Sequence, residues 1–230
     1  MNKKTRVLVT GASRGIGLAL VENFLADDDS EVVAVSRISR PERLSKAFDS
    51  RLHWITADIS TDLGRQAVAG QVNQMGGLDI LIHNAGALVY KPFKEIDEKD
   101  LHRVYNVNVF APFLLTQVLM PYLGKTHVVA VSSVGGVGGS VKFPGLSAYS
   151  SSKGALNVWI EVMAAEFAGS ELTFNALALG SVETEMFASA FPGAVASCSS
   201  EAMARFIVDF SRNMGDLIKG KIIPVSSSNP

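Results

Sequence analysis

The segment Thr5-Arg6-Val7-Leu8-Val9-Thr10, continued by Gly11-Ala12-Ser13-Arg14-Gly15-Ile16-Gly17, constrains this chain more than any other. A short β-branched run stopped by glycine reads as a buried strand. An apolar helical pattern follows through Leu18, Leu20, Val21, Phe24 and Leu25. Glycines in such a turn let the backbone reach positive φ and let a ligand approach closely, and the free amides of a helix start bind phosphate. The spacing is Gly-x-x-x-Gly-x-Gly, not the Gly-x-Gly-x-x-Gly of the standard dinucleotide fingerprint. A plain tight βα turn has the same shape. The strand before it and the helix after it favour a dinucleotide site with Gly11, Ser13, Arg14, Gly15, Ile16 and Gly17 against the phosphates.

The alternation then repeats. Strand-like runs occupy 31–36, 53–57, 79–83, 126–133, 171–178 and 221–225, and helical patterns occupy 61–75, 100–123, 150–167 and 200–214. No linker or internal repeat interrupts them. Alternating strands and helices predict an α/β fold: one doubly wound, Rossmann-like, mostly parallel sheet with helices on both faces, in a single domain over 1–230. In such a sheet ligands bind beyond the carboxyl ends of the strands. Gly11, Asp58-Ile59 and Asn84-Ala85-Gly86 all fall at such ends. An acidic residue about 20 positions past the last glycine would hold the ribose hydroxyls of NAD. Here that position holds Arg37, preceded by Ser36. A guanidinium and a hydroxyl suit a 2′-phosphate, with Arg14, Arg40 or Arg43 adding charge, so NADP(H) is expected in preference to NAD(H).

Tyr149 and Lys153 stand four residues apart at the start of a long apolar helical pattern, so they share a face. A free phenol titrates near ~10 and moves protons poorly at neutral pH. A fixed cation beside it favours the phenolate, and lowering the pKa by three units would take roughly 4 kcal/mol. Asn108 lies inside the apolar pattern 100–123, where a buried amide needs partners: either a core hydrogen bond or a held water. The helices carrying Asn108 and Tyr149 are apolar on more than one face. They are either deep in the monomer or, as expected here, the interface of a homodimer or homotetramer. Residues 184–199 mix Met186, Phe187, Phe191 and Pro192 with small residues and read as a lid.

Other chemistries find little footing. The four histidines are scattered and Cys198 is the single cysteine, so no metal site or internal disulfide is expected. The net charge of −1 gives no electrostatic case for nucleic acid or an anionic membrane. No apolar run reaches about 18 residues without a polar break, and the basic start Met1-Asn2-Lys3-Lys4 leads into too short an apolar run for a secretion signal. A cytoplasmic location is expected.

With these motifs in this order, the chain resembles the short-chain dehydrogenase/reductase family, in its single-domain form of about 250 residues. The resemblance runs from Val7 to about Thr184 through the glycine turn, Asp58, Asn84-Ala85-Gly86, Asn108, Ser133, and Tyr149 with Lys153. It implies that Ser133 orients a substrate carbonyl and Tyr149 passes the proton. It implies that Lys153 binds the nicotinamide ribose and lowers the Tyr149 pKa, and that Asn108 holds a relay water. Gly180, Val182 and Thr184 would lie near the nicotinamide, and Asn84 and Gly86 would border it. Three departures stand out: Leu179-Gly180 replaces the usual Pro-Gly, Pro224-Val225-Ser226-Ser227 replaces the usual tail, and the gap from Ser133 to Tyr149 is long enough to leave Ser132 as an alternative hydroxyl. The expected activity is NADP(H)-dependent reduction of a small carbonyl compound, or its reverse. The alternative is a cofactor-binding sensor of the same fold with little turnover.

Overall fold

The computed structural model describes residues 4–44 and 48–227; the first three residues of the basic start lie outside these. Seven parallel strands form one sheet in the order β3-β2-β1-β4-β5-β6-β9. They are β1 (Thr5–Thr10), β2 (Ser30–Ser36), β3 (Leu52–Thr56), β4 (Leu78–His83), β5 (Leu123–Ser133), β6 (Thr173–Leu179) and β9 (Ile222–Val225). The remaining two strands, β7 (Val182–Glu183) and β8 (Cys198–Ser199), pair only with each other. The helices are α1 (Gly15–Ala26), α2 (Asp62–Gln74), α3 (Glu98–Tyr105), α4 (Ala111–Leu119), α5 (Ser147–Glu166), α6 (Glu185–Ala190) and α7 (Ser200–Asn213).

Successive side chains of a strand point to opposite faces, and a parallel sheet buries both, so its strands read as unbroken apolar runs. Val7, Val9, Val32, Ala34, Ile80, Ile82, Val129 and Val131 join a core cluster with residues of α1 and α7. Their neighbours Leu8, Val33, Leu81, Val128 and Ala130 join a second cluster with residues of α2, α4 and α5. Pro224 is tolerated because β9 is an edge strand.

Strand order reverses between β1 and β4, whose ends, Thr10-Gly11 and His83-Asn84, lie side by side. That reversal opens the crevice in which such sheets bind ligands.

Two expected elements differ in detail. The helical pattern 100–123 is not one helix: a π turn over Asn106–Phe110 separates α3 from α4, a 3₁₀ turn covers Met120–Tyr122, and β5 starts at Leu123. The expected lid is not a free loop. It contains α6, and its base is fastened by the β7–β8 ladder and by Ser197 Oγ, 3.0 Å from Ser181 Oγ. Among the described residues one helical stretch, Glu98–Tyr122, has the length and hydropathy of a membrane span. It begins with Glu98, Lys99, Asp100 and Arg103 and buries Asn108, Ala111, Leu115 and Leu119 against the rest of the chain, as a core helix does.

Candidate active site

The crevice begins at the glycine turn. Gly11 and Gly15 take positive φ, +70° and +50°. A Cβ at Gly17 would stand 2.1 Å from the Gly11 carbonyl oxygen and 2.5 Å from Asn84 Nδ2, so only glycine lets α1 approach the strand end. The start of α1 has no side-chain cap at Arg14 and no acid in its own first turn, although Glu185 Oε2 of the lid would lie 3.5 Å from a Cβ at Gly15. Asn84 is used structurally: its Nδ2 donates to the carbonyls of Thr10 (2.9 Å) and Gly11 (3.2 Å). The Thr10 hydroxyl accepts from the amides of Asn84 and Ala85, both at 3.1 Å. These bonds stitch the ends of β1 and β4 together.

Beyond β2 and β3 the surface is mixed in charge. Arg14 and Arg37 are exposed and pair with no carboxylate among the described residues, whereas Arg40 meets Asp49 and Arg43 meets Glu22. Two of the three residues expected to add positive charge, Arg40 and Arg43, are therefore partly neutralised. The Ser36 hydroxyl is turned inward, accepting from the Ile38 amide. Burial alone would raise the Asp58 pKa. Hydrogen bonds from the Ser60 hydroxyl (2.7 Å) and amide (2.9 Å), with the Arg37 charge, outweigh it and hold the carboxyl below its ordinary value. Ile59 is buried against the α2 side of the core.

On the other side of the crevice, Ser133 ends β5 and Tyr149 stands in the first turn of α5. The Ser133 Oγ accepts from the Gly135 amide at 3.2 Å, and its side chain acts on the Tyr149 phenol to favour the phenolate. Ser132 points away, toward the Lys153 carbonyl at 3.5 Å, so Ser133 is the hydroxyl that faces the phenol. Lys153 is 4% exposed, its Nζ donating to the Val131 carbonyl at 2.7 Å and lying 5.8 Å from the Tyr149 ring centroid. Burial lowers the Lys153 pKa to about 8. The expected depression of the Tyr149 pKa is not met in this structure. Burial raises it, with the Ser133 hydrogen bond acting in the opposite direction. The reason is geometric: the ammonium faces a strand carbonyl, not the phenol oxygen.

Asn108 is fully buried within the π turn. Its side chain clamps Ala87, accepting from the amide (2.8 Å) and donating to the carbonyl (2.9 Å), and it also donates to Ser152 Oγ (2.9 Å). The amide is thus engaged with protein. Gly86 links the two walls: a Cβ there would lie 3.7 Å from Asn108 Oδ1 and 3.9 Å from Lys153 Nζ. Its neighbour Ala85 touches Gly11, where an added Cβ would come within 2.8 Å of Ala85 Cα. The glycine turn, 84–86, Asn108 and Lys153 are therefore contiguous.

The lid closes the circuit. Thr184 caps α6, accepting from Phe187 N at 3.1 Å, and its methyl would lie 3.1 Å from a Cβ at Gly15. Gly180 donates to the Val225 carbonyl, and a Cβ there would strike Ser226 Oγ at 2.4 Å, so the altered tail packs on this turn. Val182 is buried in the β7–β8 ladder.

The profile of the short chain dehydrogenase family matches residues 5–195. The chain is 33% identical over 193 residues to an L-2,3-butanediol dehydrogenase of Corynebacterium glutamicum, covering 78% of this chain and 72% of that protein. It belongs to the short chain dehydrogenase family. Its fold is close to a 3-ketoacyl-(acyl-carrier-protein) reductase from Brucella melitensis complexed with NADH (TM-score 0.87, 23% identity, 99% and 98% of the two chains). It is as close to a short chain dehydrogenase from Burkholderia cenocepacia in complex with NADP (TM-score 0.84, 24% identity, 99% and 98%).

Sequence reasoning missed three positioning residues of this dehydrogenase. Ser152 Oγ donates to the Tyr149 carbonyl at 2.6 Å while accepting from Asn108, tying α5 to the π turn. Its signal was a serine at an inward position of an apolar helix. Pro112 follows Asn108 by four residues and has no N–H, so the Asn108 carbonyl loses its α-helical donor at the point where the helix widens. Gly136 lets its loop lie on Lys153, where a Cβ would stand 2.6 Å from the Lys153 carbonyl carbon. No local pattern announces that contact.

Proposed function

We propose that this chain, as one domain, transfers a hydride between a nicotinamide dinucleotide and a carbonyl or alcohol carbon of a small molecule, with Tyr149 as general acid/base. The observation that carries this reading is the contiguity of Tyr149, Lys153, Gly86 and the glycine turn around one crevice, with Ser133 beside the phenol. The residues fit the cofactor on structural grounds: α1 begins uncapped and with no acid in its own first turn, and Gly11 and Gly17 leave bare backbone beside it. The pyrophosphate would be held by Gly11, Ser13, Arg14, Gly15, Ile16 and Gly17, and the adenosine end by Arg37, Asp58 and Ile59. Asn84, Ala85, Gly86, Gly180, Val182 and Thr184 would flank the nicotinamide half. The exposed guanidinium of Arg37 supports NADP(H) over NAD(H), since no acid takes its place.

The cofactor, when bound, supplies or accepts the hydride. The chain supplies the rest. In reduction, the Ser133 hydroxyl orients the carbonyl oxygen and Tyr149 Oη–H donates to it as charge develops. In oxidation the phenolate takes that proton back. Lys153 would hold the nicotinamide ribose, and its ammonium, turned from the Val131 carbonyl toward the phenol, would make Tyr149 more acidic. The carbonyl of Asn108, without its helical donor, is suited to hold a water behind Lys153. The exposed apolar side chains Phe110, Phe113, Val158 and Val162 on the Asn108 and Tyr149 helices support a homodimer or homotetramer.

The test is a panel of ketones with NADPH, followed by fluorescence of bound NADPH for Tyr149→Phe. We expect turnover to fall by about 10²-fold or more with NADPH still bound. Undiminished turnover of a real substrate by Tyr149→Phe would refute the assignment. NADPH binding with no turnover by the intact chain across the panel would favour the sensor.

A further inference from the structure

We propose that Tyr90 is a positioning residue that holds the lid over the crevice, so that the chain selects substrates whose carbonyl carries an apolar or aromatic group. This deepens the reading above and rests on it. Three separate segments meet at the Tyr90 ring. From the lid, Phe191 packs edge-on, with centroids 5.5 Å apart and planes at 61°, and Phe187 backs Phe191 at 5.4 Å. From the segment before α5, Gly145 comes so close that a Cβ would stand 2.9 Å from Tyr90 Cε2. The Lys91 amide donates to the Gly145 carbonyl at 3.0 Å and fixes the ring's place against that glycine. The third segment is the one that bears Tyr90, which leaves Gly86 and Ala87 beside Lys153 and Asn108.

The lid's base is fastened by β7–β8 and Ser181–Ser197 and the start of α6 by Thr184 against Gly15, which leaves Phe191 at its outer end. The Tyr90–Phe191 contact joins its outer end to the wall of the crevice that leads into Tyr149, since Leu146 O accepts from Ser150 N at 2.8 Å in the first turn of α5. The wall formed by Tyr90, Phe187 and Phe191 is aromatic, which accommodates an apolar substituent. Tyr90 itself is 51% exposed, so removing its ring opens no core cavity. Its effect on function is thereby separable from stability.

The experiment compares Tyr90→Ala, Tyr90→Phe and Gly145→Ala with the parent chain. Steady-state kinetics use a phenyl ketone and a short charged keto acid with NADPH. Hydrogen exchange of segment 185–195 is read in the same proteins without substrate. An edge-on aromatic contact corresponds to about a tenfold effect at most. We expect Tyr90→Ala to raise KM for the phenyl ketone about tenfold, with kcat and NADPH affinity little changed and KM for the keto acid unmoved or lowered. Exchange in 185–195 should quicken. Tyr90→Phe should retain parent behaviour, and Gly145→Ala should imitate Tyr90→Ala by displacing the ring. Unchanged KM and exchange in Tyr90→Ala, or a Tyr90→Phe as impaired as Tyr90→Ala, overturns the proposal. If the parent chain turns over neither compound, the oxidoreductase reading has failed. The exchange data then judge the lid contact alone: quickening in Tyr90→Ala supports it and its absence overturns it.

Discussion

Replacing Lys153 by methionine should stabilise the folded chain while disabling it. The Lys153 ammonium is buried, and its pKa of about 8 lies below the ordinary 10.5. That gap, at about 1.4 kcal/mol per unit, means that keeping the charge in the folded state costs about 3 kcal/mol at neutral pH. Methionine fills similar volume with no charge. Losing the donor to the Val131 carbonyl takes back about 1 kcal/mol, leaving a net gain of about 2 kcal/mol. In a chain of this size that raises Tm by roughly 4–8 °C. The sign with pH follows from the depressed pKa. Between about 8 and 10.5 the unfolded chain binds more protons at this site than the folded one, so parent stability rises through that window. The variant has no such slope, and its advantage should shrink nearly to zero by pH 10. Urea titrations of both proteins at pH 7 and pH 10 measure this. A variant less stable than the parent at pH 7, or an advantage that does not narrow at pH 10, refutes the reasoning.

Three further outcomes are expected. His83 is buried and burial drops its pKa to about 3; its folded-state preference for the neutral ring is a stability contribution present above 6.5 and lost as pH falls toward 3. His83→Gln should therefore flatten the acid limb of stability measured by urea titration between pH 7 and pH 4. Gly17→Ala should cost about 2 kcal/mol or more, because its Cβ would meet the Gly11 carbonyl at 2.1 Å. It should also weaken NADPH binding in a fluorescence titration, and a neutral effect on both would contradict the packing argument. Arg37→Asp should reverse the cofactor preference in the NADPH-to-NADH ratio of kcat/KM, by roughly tenfold or more. An unchanged ratio would remove Arg37 from cofactor selection.

The sheet was legible because its signals are short-range. The runs at Val7-Leu8-Val9 and Ile80-Leu81-Ile82 are apolar on both faces, as buried parallel strands are, and glycine or a small residue follows each end. The nearness of Tyr149 and Lys153 also followed, since α5 lays residues four apart on one face, whereas Ser133 was placed by the family resemblance and not by spacing. What failed was electrostatic. The sequence puts a lysine near a phenol, but the direction of its Nζ is set by the Val131 carbonyl, a partner 22 residues away that no spacing reveals. The helix break at Asn108 was readable from Pro112, which stands in the middle of the expected helix 100–123 where proline removes a donor, and it was missed. Tyr90 was readable from the sequence as a pocket residue beside 184–199, but its contacts with Gly145 and Phe191 were not, since they join segments far apart in the chain.

The central claim is tested most directly by label transfer. With NADPH deuterated at C4 on the transferred face and a phenyl ketone, the carbinol carbon of the product is read by NMR. The account predicts one deuterium at that carbon with the parent chain and none accumulating on the same timescale with Tyr149→Phe. Product without label, or label appearing as fast in Tyr149→Phe, would contradict it.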